Sequence, residues 1–90
     1  METRVALIGI IVQDFASTES INQLLHTYRS YIIGRMGLPY ARRDVAVISV
    51  VLDAPANVLS ALSGKLGMLH GVKSKTIYSD VFGEMDEASD

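Results

Sequence analysis

The sequence predicts an α+β domain in βαββαβ order, with a four-stranded antiparallel sheet (order 4-1-3-2) and two helices on one face. Three observations carry that expectation. Residues 4–12 and 45–52 are rich in β-branched side chains and have the length of strands rather than helices. Each is followed by a segment whose apolar residues recur at helical spacing. Each half then closes on a second, more polar extended segment, so the chain reads as one strand–helix–strand plan used twice.

The first strand is residues 4–12, and Asp14-Phe15-Ala16-Ser17 breaks it. Ser17 suits an N-cap, and Glu19 places a negative charge in the first helical turn, where the helix dipole favours it. Ile21, Leu24, Leu25 and Tyr28 follow at i, i+3, i+4 and i+7, and the helix is expected to fade near Ser30. Residues 31–36 read as the second strand. Gly37-Leu38-Pro39-Tyr40, with Arg42-Arg43-Asp44, reads as the turn region. The third strand is residues 45–52. Pro55 fits the first position of a helix, where its missing N–H costs nothing. Val58, Ala61, Leu62 and Leu66 form the expected buried stripe, widened by Leu59 and Leu69, and Gly67 or Gly71 supplies the left-handed residue that ends the helix. Residues 72–79 are the fourth strand, with Lys73 and Lys75 alternating as on a sheet edge. Right-handed crossovers place the first and third strands at the centre, which is the ferredoxin-like arrangement.

Composition narrows the function classes. With 90 residues, 49% hydrophobic and 20% charged, the chain is one folded domain rather than a disordered segment. Its formal charge of −2 divides unevenly. Residues 1–79 hold eight bases against five acids, giving +3, while residues 80–90 hold five acids and no base, giving −5. The expected organisation is therefore a domain over 1–79 and an acidic, disordered tail over 80–90. No apolar run approaches the roughly 20 residues of a membrane helix, and no signal-peptide pattern opens the chain, so a cytoplasmic domain without a membrane partner is expected. The absence of Cys excludes disulfides, thiolate metal sites and a Cys nucleophile. Direct nucleic-acid binding is not expected either: the body is only weakly basic, and the central strands carry no aromatic on which a base could stack.

One feature of the pattern says more than the fold. A sheet covered on one face should alternate apolar and polar residues. In the first strand Val5, Leu7, Gly9 and Ile11 oppose Ala6, Ile8, Ile10 and Val12, and in the third Val45, Val47, Ser49 and Val51 oppose Ala46, Ile48, Val50 and Leu52. Both faces of both strands are apolar, more than one layer of helices can cover. The expectation is a homo-oligomer, dimer or tetramer, with Val5, Leu7, Ile11, Val47, Ser49 and Val51 at its interface. The alternative cover is the C-terminal segment folded back over the sheet.

Motifs that would carry chemistry are sparse. Gly64-Lys65 lacks both the upstream Gly and the following Ser or Thr of a phosphate loop, and it lies within a helical pattern. Ala61, Ser63, Gly64 and Gly67 read instead as small residues permitting close packing. His26 and His70 are the only imidazoles; His26 falls off the apolar stripe and His70 sits in a Gly-flanked turn, so both read as surface residues and no metal or cofactor is expected. Arg35, Arg42 and Arg43 flank the predicted hairpin and could hold an anion, or stand as solvated turn charges answered by Asp44. No Ser/His/Asp set or carboxylate pair on one element marks a catalytic centre, and no catalytic residue is assigned.

Several strings resemble a known family. Leu62-Ser63-Gly64-Lys65-Leu66-Gly67, Gly71-Val72 and Lys75-Thr76 resemble the second half of the iron-only hydrogenase system regulators, and His26-Thr27-Tyr28, residues 32–37 and Pro39 resemble its first helix and second strand. The resemblance implies a ferredoxin-like fold close to ACT domains and to the effector domain of the nickel-responsive repressor, regulatory modules that associate through sheets or strand edges and bind small effectors at interfaces. It also implies a part in anaerobic hydrogenase expression or maturation. The repressor binds nickel through His and Cys, and this chain has no Cys. No DNA-binding helical segment precedes Arg4, so regulation through a protein partner is expected rather than direct DNA contact.

Two readings result. In one, the chain is a non-enzymatic, oligomeric regulatory domain sensing a small effector, with Asp14, Ser17, His26, Gly34, Arg35 and Gly37 as the ligand region. In the other it is a ligand-free assembly module whose open sheet face recruits a hydrogenase-maturation partner. An anion-handling enzyme built on Arg35, Arg42 and Arg43 is the weakest option.

Overall fold

In the computed structural model, which describes residues 2–84 with side chains through residue 79, strands β1 (Glu2–Val12) and β3 (Val45–Ala54) lie side by side at the centre of the sheet. The edges are β2 (Ile32–Tyr40) against β3 and β4 (Val72–Glu84) against β1. All pairings are antiparallel, in the order β2-β3-β1-β4. The predicted order 4-1-3-2 is the same arrangement counted from the other edge. Helices α1 (Thr18–Thr27) and α2 (Ala56–Gly67) supply the second layer.

The core lies between helices and sheet. Ala6, Ile8, Ile10 and Val12 are 0–2% exposed and meet Ile48, Val50, Leu52 and Ala54 of β3. Ile21 and Leu25 of α1 and Leu59, Leu62 and Leu66 of α2 close over them. The stripe of α2 is thus Leu59, Leu62 and Leu66, and Ala61, expected in it, is exposed. Pro55 is the N-cap rather than the first helical residue, with extended backbone at φ −61, ψ 152. The helices are tied across the layer and to the sheet by polar contacts. Lys65 donates to the Tyr28 hydroxyl at 3.1 Å, and Thr76 of β4 donates to Ser63 of α2 at 3.2 Å. Gly64 and Gly67 face open space, so the close packing expected of them is not made within this chain.

Two strand ends differ most from the sequence reading. β2 continues through Gly37, Leu38 and Pro39 to Tyr40, leaving only residues 41–44 as the turn. An edge strand has one pairing partner, so it tolerates a proline that a central strand would not. The turn closes on Asp44 in left-handed backbone at φ 53, with its N–H donated to the Ala41 carbonyl at 3.2 Å. β4 runs to Glu84, five residues past the expected end of the domain, and its backbone pairs with β1 at Arg4↔Phe82, Thr3↔Gly83 and Glu2↔Glu84. Through residue 84 the C-terminal segment therefore extends the sheet edge instead of folding across its open face. The rest of the expected acidic tail, 85–90, lies outside the described residues. Among the described residues, no helix is long and apolar enough to cross a membrane.

Candidate functional site

The end of β1 and the start of β4 are neighbours, paired at Val12↔Val72, so the segments flanking them meet at one end of the sheet. The Gly71 carbonyl accepts the Gln13 N–H at 2.7 Å and the Asp14 N–H at 3.3 Å. Ser17 donates its hydroxyl to the His70 carbonyl at 2.7 Å. It stands at the N-cap position of α1, as expected, but its hydroxyl caps nothing there because it is committed to the neighbouring segment. Asp14 caps the short 3-10 turn at Phe15–Ser17 through the Ala16 N–H at 3.0 Å, and its other oxygen lies 2.7 Å from His70 Nδ1.

The Ala16 N–H is the largest influence holding the Asp14 carboxyl below its ordinary range, followed by the hydrogen bond to His70; partial burial opposes them and the His70 charge adds a smaller pull in the same direction. His70, expected as a lone surface imidazole, is exposed but has a partner. Its side chain is 89% exposed, so the contact sits at the surface. Although Ser, His and Asp come together here, the serine hydroxyl bonds the His70 backbone rather than its ring. The ring therefore has no hydroxyl to activate, and the cluster works as a clasp between loops. The pairing was recoverable from topology: order 4-1-3-2 brings Asp14 beside Gly71.

His26 and Arg35 lie elsewhere. Asn22, His26 and Arg29 of α1 and its C-terminal turn face Ile32 and Arg35 of β2 across a cavity of about 320 Å3, with Leu25 at its base. Arg35 Nη2 donates to Asn22 Oδ1 at 3.2 Å, and Arg29 Nη1 donates to the His26 carbonyl at 2.9 Å. The six residues expected to form one ligand region are thus divided. Asp14 and Ser17 join the loop clasp, and His26 and Arg35 line the α1–β2 cavity. Gly34 and Gly37 lie on β2, and a Cβ at either would meet nothing within 4 Å. Asn22 and Arg29 were missed by the sequence reading; their spacing from His26, at i−4 and i+3, was the available signal. Among the described residues there is no group of three or more His, Cys, Asp or Glu able to hold a metal.

The uncovered face of the sheet is ordered in rows. Lys73, Ile11, Val47 and Leu38 form one row, Lys75, Gly9, Ser49 and Met36 the next, and Ile77, Leu7, Val51 and Gly34 the third. All six residues expected at an interface lie on this face. Because Gly9 and Ser49 are small, the middle row is a trough between two apolar ridges. Val5, Leu7, Ile11, Met36, Leu38, Tyr40, Val47 and Ile77 are 37–69% exposed here.

Residues 4–76 match the TM1266-like family, described as an iron-only hydrogenase system regulator. The chain belongs to this family. The uncharacterized protein TM1266 from Thermotoga maritima has a solved structure that superposes with a TM-score of 0.81 at 34% identity, covering 84% of this chain and 96% of that one. Two more distant structures share the fold alone. The C-terminal domain of MgtC from Mycobacterium tuberculosis has a TM-score of 0.67 at 17% identity, covering 96% of this chain and 94% of that one. A formyltetrahydrofolate deformylase from Pseudomonas putida has a TM-score of 0.60 at 13% identity, covering 80% of this chain and 28% of that one. No functionally curated protein matches the sequence. The matched span runs from the start of β1 into β4 and so includes the clasp, the α1–β2 cavity and most of the open face.

Proposed function

We propose that this member of the iron-only hydrogenase system regulator family is a non-enzymatic regulatory domain. It assembles as a homo-oligomer through its open sheet face and responds to a small effector. The observation that supports this reading is the face itself. At their fractional exposures, its eight most exposed apolar residues present on the order of 700 Å2, close to the roughly 800 Å2 each partner contributes to a standard interface. A second copy suits it better than an unrelated surface. The only cations in the three central rows, Lys73 and Lys75, lie on β4. A two-fold axis along the strands sets β4 of one copy against β2 of the other, so the lysines meet Leu38, Met36 and Tyr40 rather than each other. The effector shifts assembly, or contact with a protein partner, by binding one state more tightly than the other.

Light scattering on the full chain at micromolar concentration tests the assembly. The wild type is expected at the mass of a dimer or tetramer, and Val47→Glu at the mass of a monomer with unchanged far-ultraviolet circular dichroism. A monomeric wild type would overturn self-association and leave the face to a different protein.

A further inference from the structure

We propose that the cavity between α1 and β2 binds a small organic anion, its charged end held between the guanidiniums of Arg29 and Arg35 with His26 beside them. Three features of the cavity converge on that class of ligand. The first is charge. Two arginines and a histidine line one cavity of about 320 Å3, and no carboxylate lines it with them. Among the described residues neither arginine forms an ion pair with an acid. Two cations held around one concavity repel each other, and an anion between them relieves that repulsion.

The second is preorganisation. Arg35 is held by Asn22 and Arg29 by the His26 carbonyl, each through one nitrogen. A guanidinium carries five N–H donors in a fixed fork, so most of each fork remains for a ligand. The backbone supports this placement. The β2–β3 register shifts between Ile32 and Gly34, then returns Arg35 opposite the buried Val50. Arg35 is therefore on the helix side of an edge strand, facing α1. Bulges of this kind commonly re-aim a side chain beside a site. The third is the base of the cavity. Half-buried Ile32 offers apolar surface beneath the charges, backed by the buried Leu25, which suits a carbon body attached to a carboxylate or phosphate. Of the other large depressions, the groove along the outer side of α1 includes Glu19 and no arginine. The one around Gly9 carries Lys73 and Lys75 over apolar surface but has no guanidinium fork, and it opens on the sheet face proposed for assembly.

The site lies within one chain, so binding does not need assembly; only its use as the effector site rests on the regulatory reading above. The test is a two-dimensional amide NMR titration of the full chain with benzoate, phenyl phosphate and inorganic phosphate at constant ionic strength, with light scattering at saturation. Saturable shifts concentrated in residues 22–35 are expected for benzoate or phenyl phosphate, with inorganic phosphate weaker because it leaves the apolar base unused. Arg29→Gln and Arg35→Gln should each weaken binding at least tenfold while preserving a dispersed spectrum. A preference between the two aromatic probes identifies carboxylate or phosphate as the favoured head group. Shifts that grow linearly without saturation, or equal binding by both variants, would overturn the site. Saturable binding with no change in mass supports the site and counts against its coupling to assembly.

Discussion

Replacing Gly71 with alanine tests whether the clasp between the two crossovers holds the fold together. Gly71 has φ +69, and a Cβ there would lie 2.4 Å from Asp14 Cβ and 2.8 Å from the Asp14 backbone nitrogen. The opposing atoms belong to the main chain and its first side-chain carbon, so the clash cannot be relieved by rotating a side chain. Left-handed backbone costs a non-glycine residue roughly 1–2 kcal/mol. Moving the segment aside also strains the hydrogen bonds from Gln13 and Asp14 to the Gly71 carbonyl, worth about 0.5–1.5 kcal/mol net apiece. Together these give a loss of about 2–5 kcal/mol, against a total of about 5–15 kcal/mol for a small domain. Urea denaturation of Gly71→Ala and wild type at one protein concentration should show a midpoint lower by more than about 1 M with the slope unchanged. A loss below about 1 kcal/mol would refute the reasoning, because it would mean the two loops separate at little cost.

The same measurement should move the other way for Gly64→Ala. Position 64 is inside α2 and faces open space, so alanine should add about 0.5–1 kcal/mol; a loss would show that a neighbour in the assembly needs the glycine. Asp14→Asn keeps a capping side chain but removes the charge. Because the folded carboxyl is held below its ordinary value of 3.8, it adds stability above that pH and loses it as pH falls through the folded value. The wild type should therefore exceed Asp14→Asn in urea midpoint at pH 6, with the gap closing below pH 4; a gap constant from pH 6 to pH 3 would remove the charge from the clasp.

Much of this architecture was legible in the chain because strand and helix periods leave strong marks. The two-residue period of residues 5–12 divided them into two faces, both apolar, which marked an excess of apolar surface, and the charges on Lys73 and Lys75 marked an edge. Local signals misled where a tertiary partner competed for the same group. Ser17 has the chemistry of an N-cap, yet its hydroxyl goes to the His70 carbonyl, fifty-three positions away. Gly37 and Pro39 have the chemistry of a turn, but β2 needs only one neighbour and carries both. Ala61 fits the period of α2 read from Val58, but the buried face is centred on Leu59, Leu62 and Leu66, which leaves Ala61 exposed. In the candidate site, His26 and Arg35 were visible as residue types. Helical spacing could group His26 with Asn22 and Arg29, but that Arg35 joins them depends on how α1 lies over β2, which no spacing along one element specifies.

The β1–β4 pairing also shapes how the chain folds. β1 is the most apolar central strand, and one of its two edges stays unpaired until β4, some sixty residues later, has been made. Loop-closure entropy for that span must be met before the ladder forms, which slows folding relative to a domain built from local hairpins. During that interval the β1 edge is a template for any other extended segment, so a nascent or partly unfolded chain is most vulnerable to aggregation along β1. Docking of β4, anchored at its start by the hydrogen bonds to the Gly71 carbonyl, is what ends that exposure.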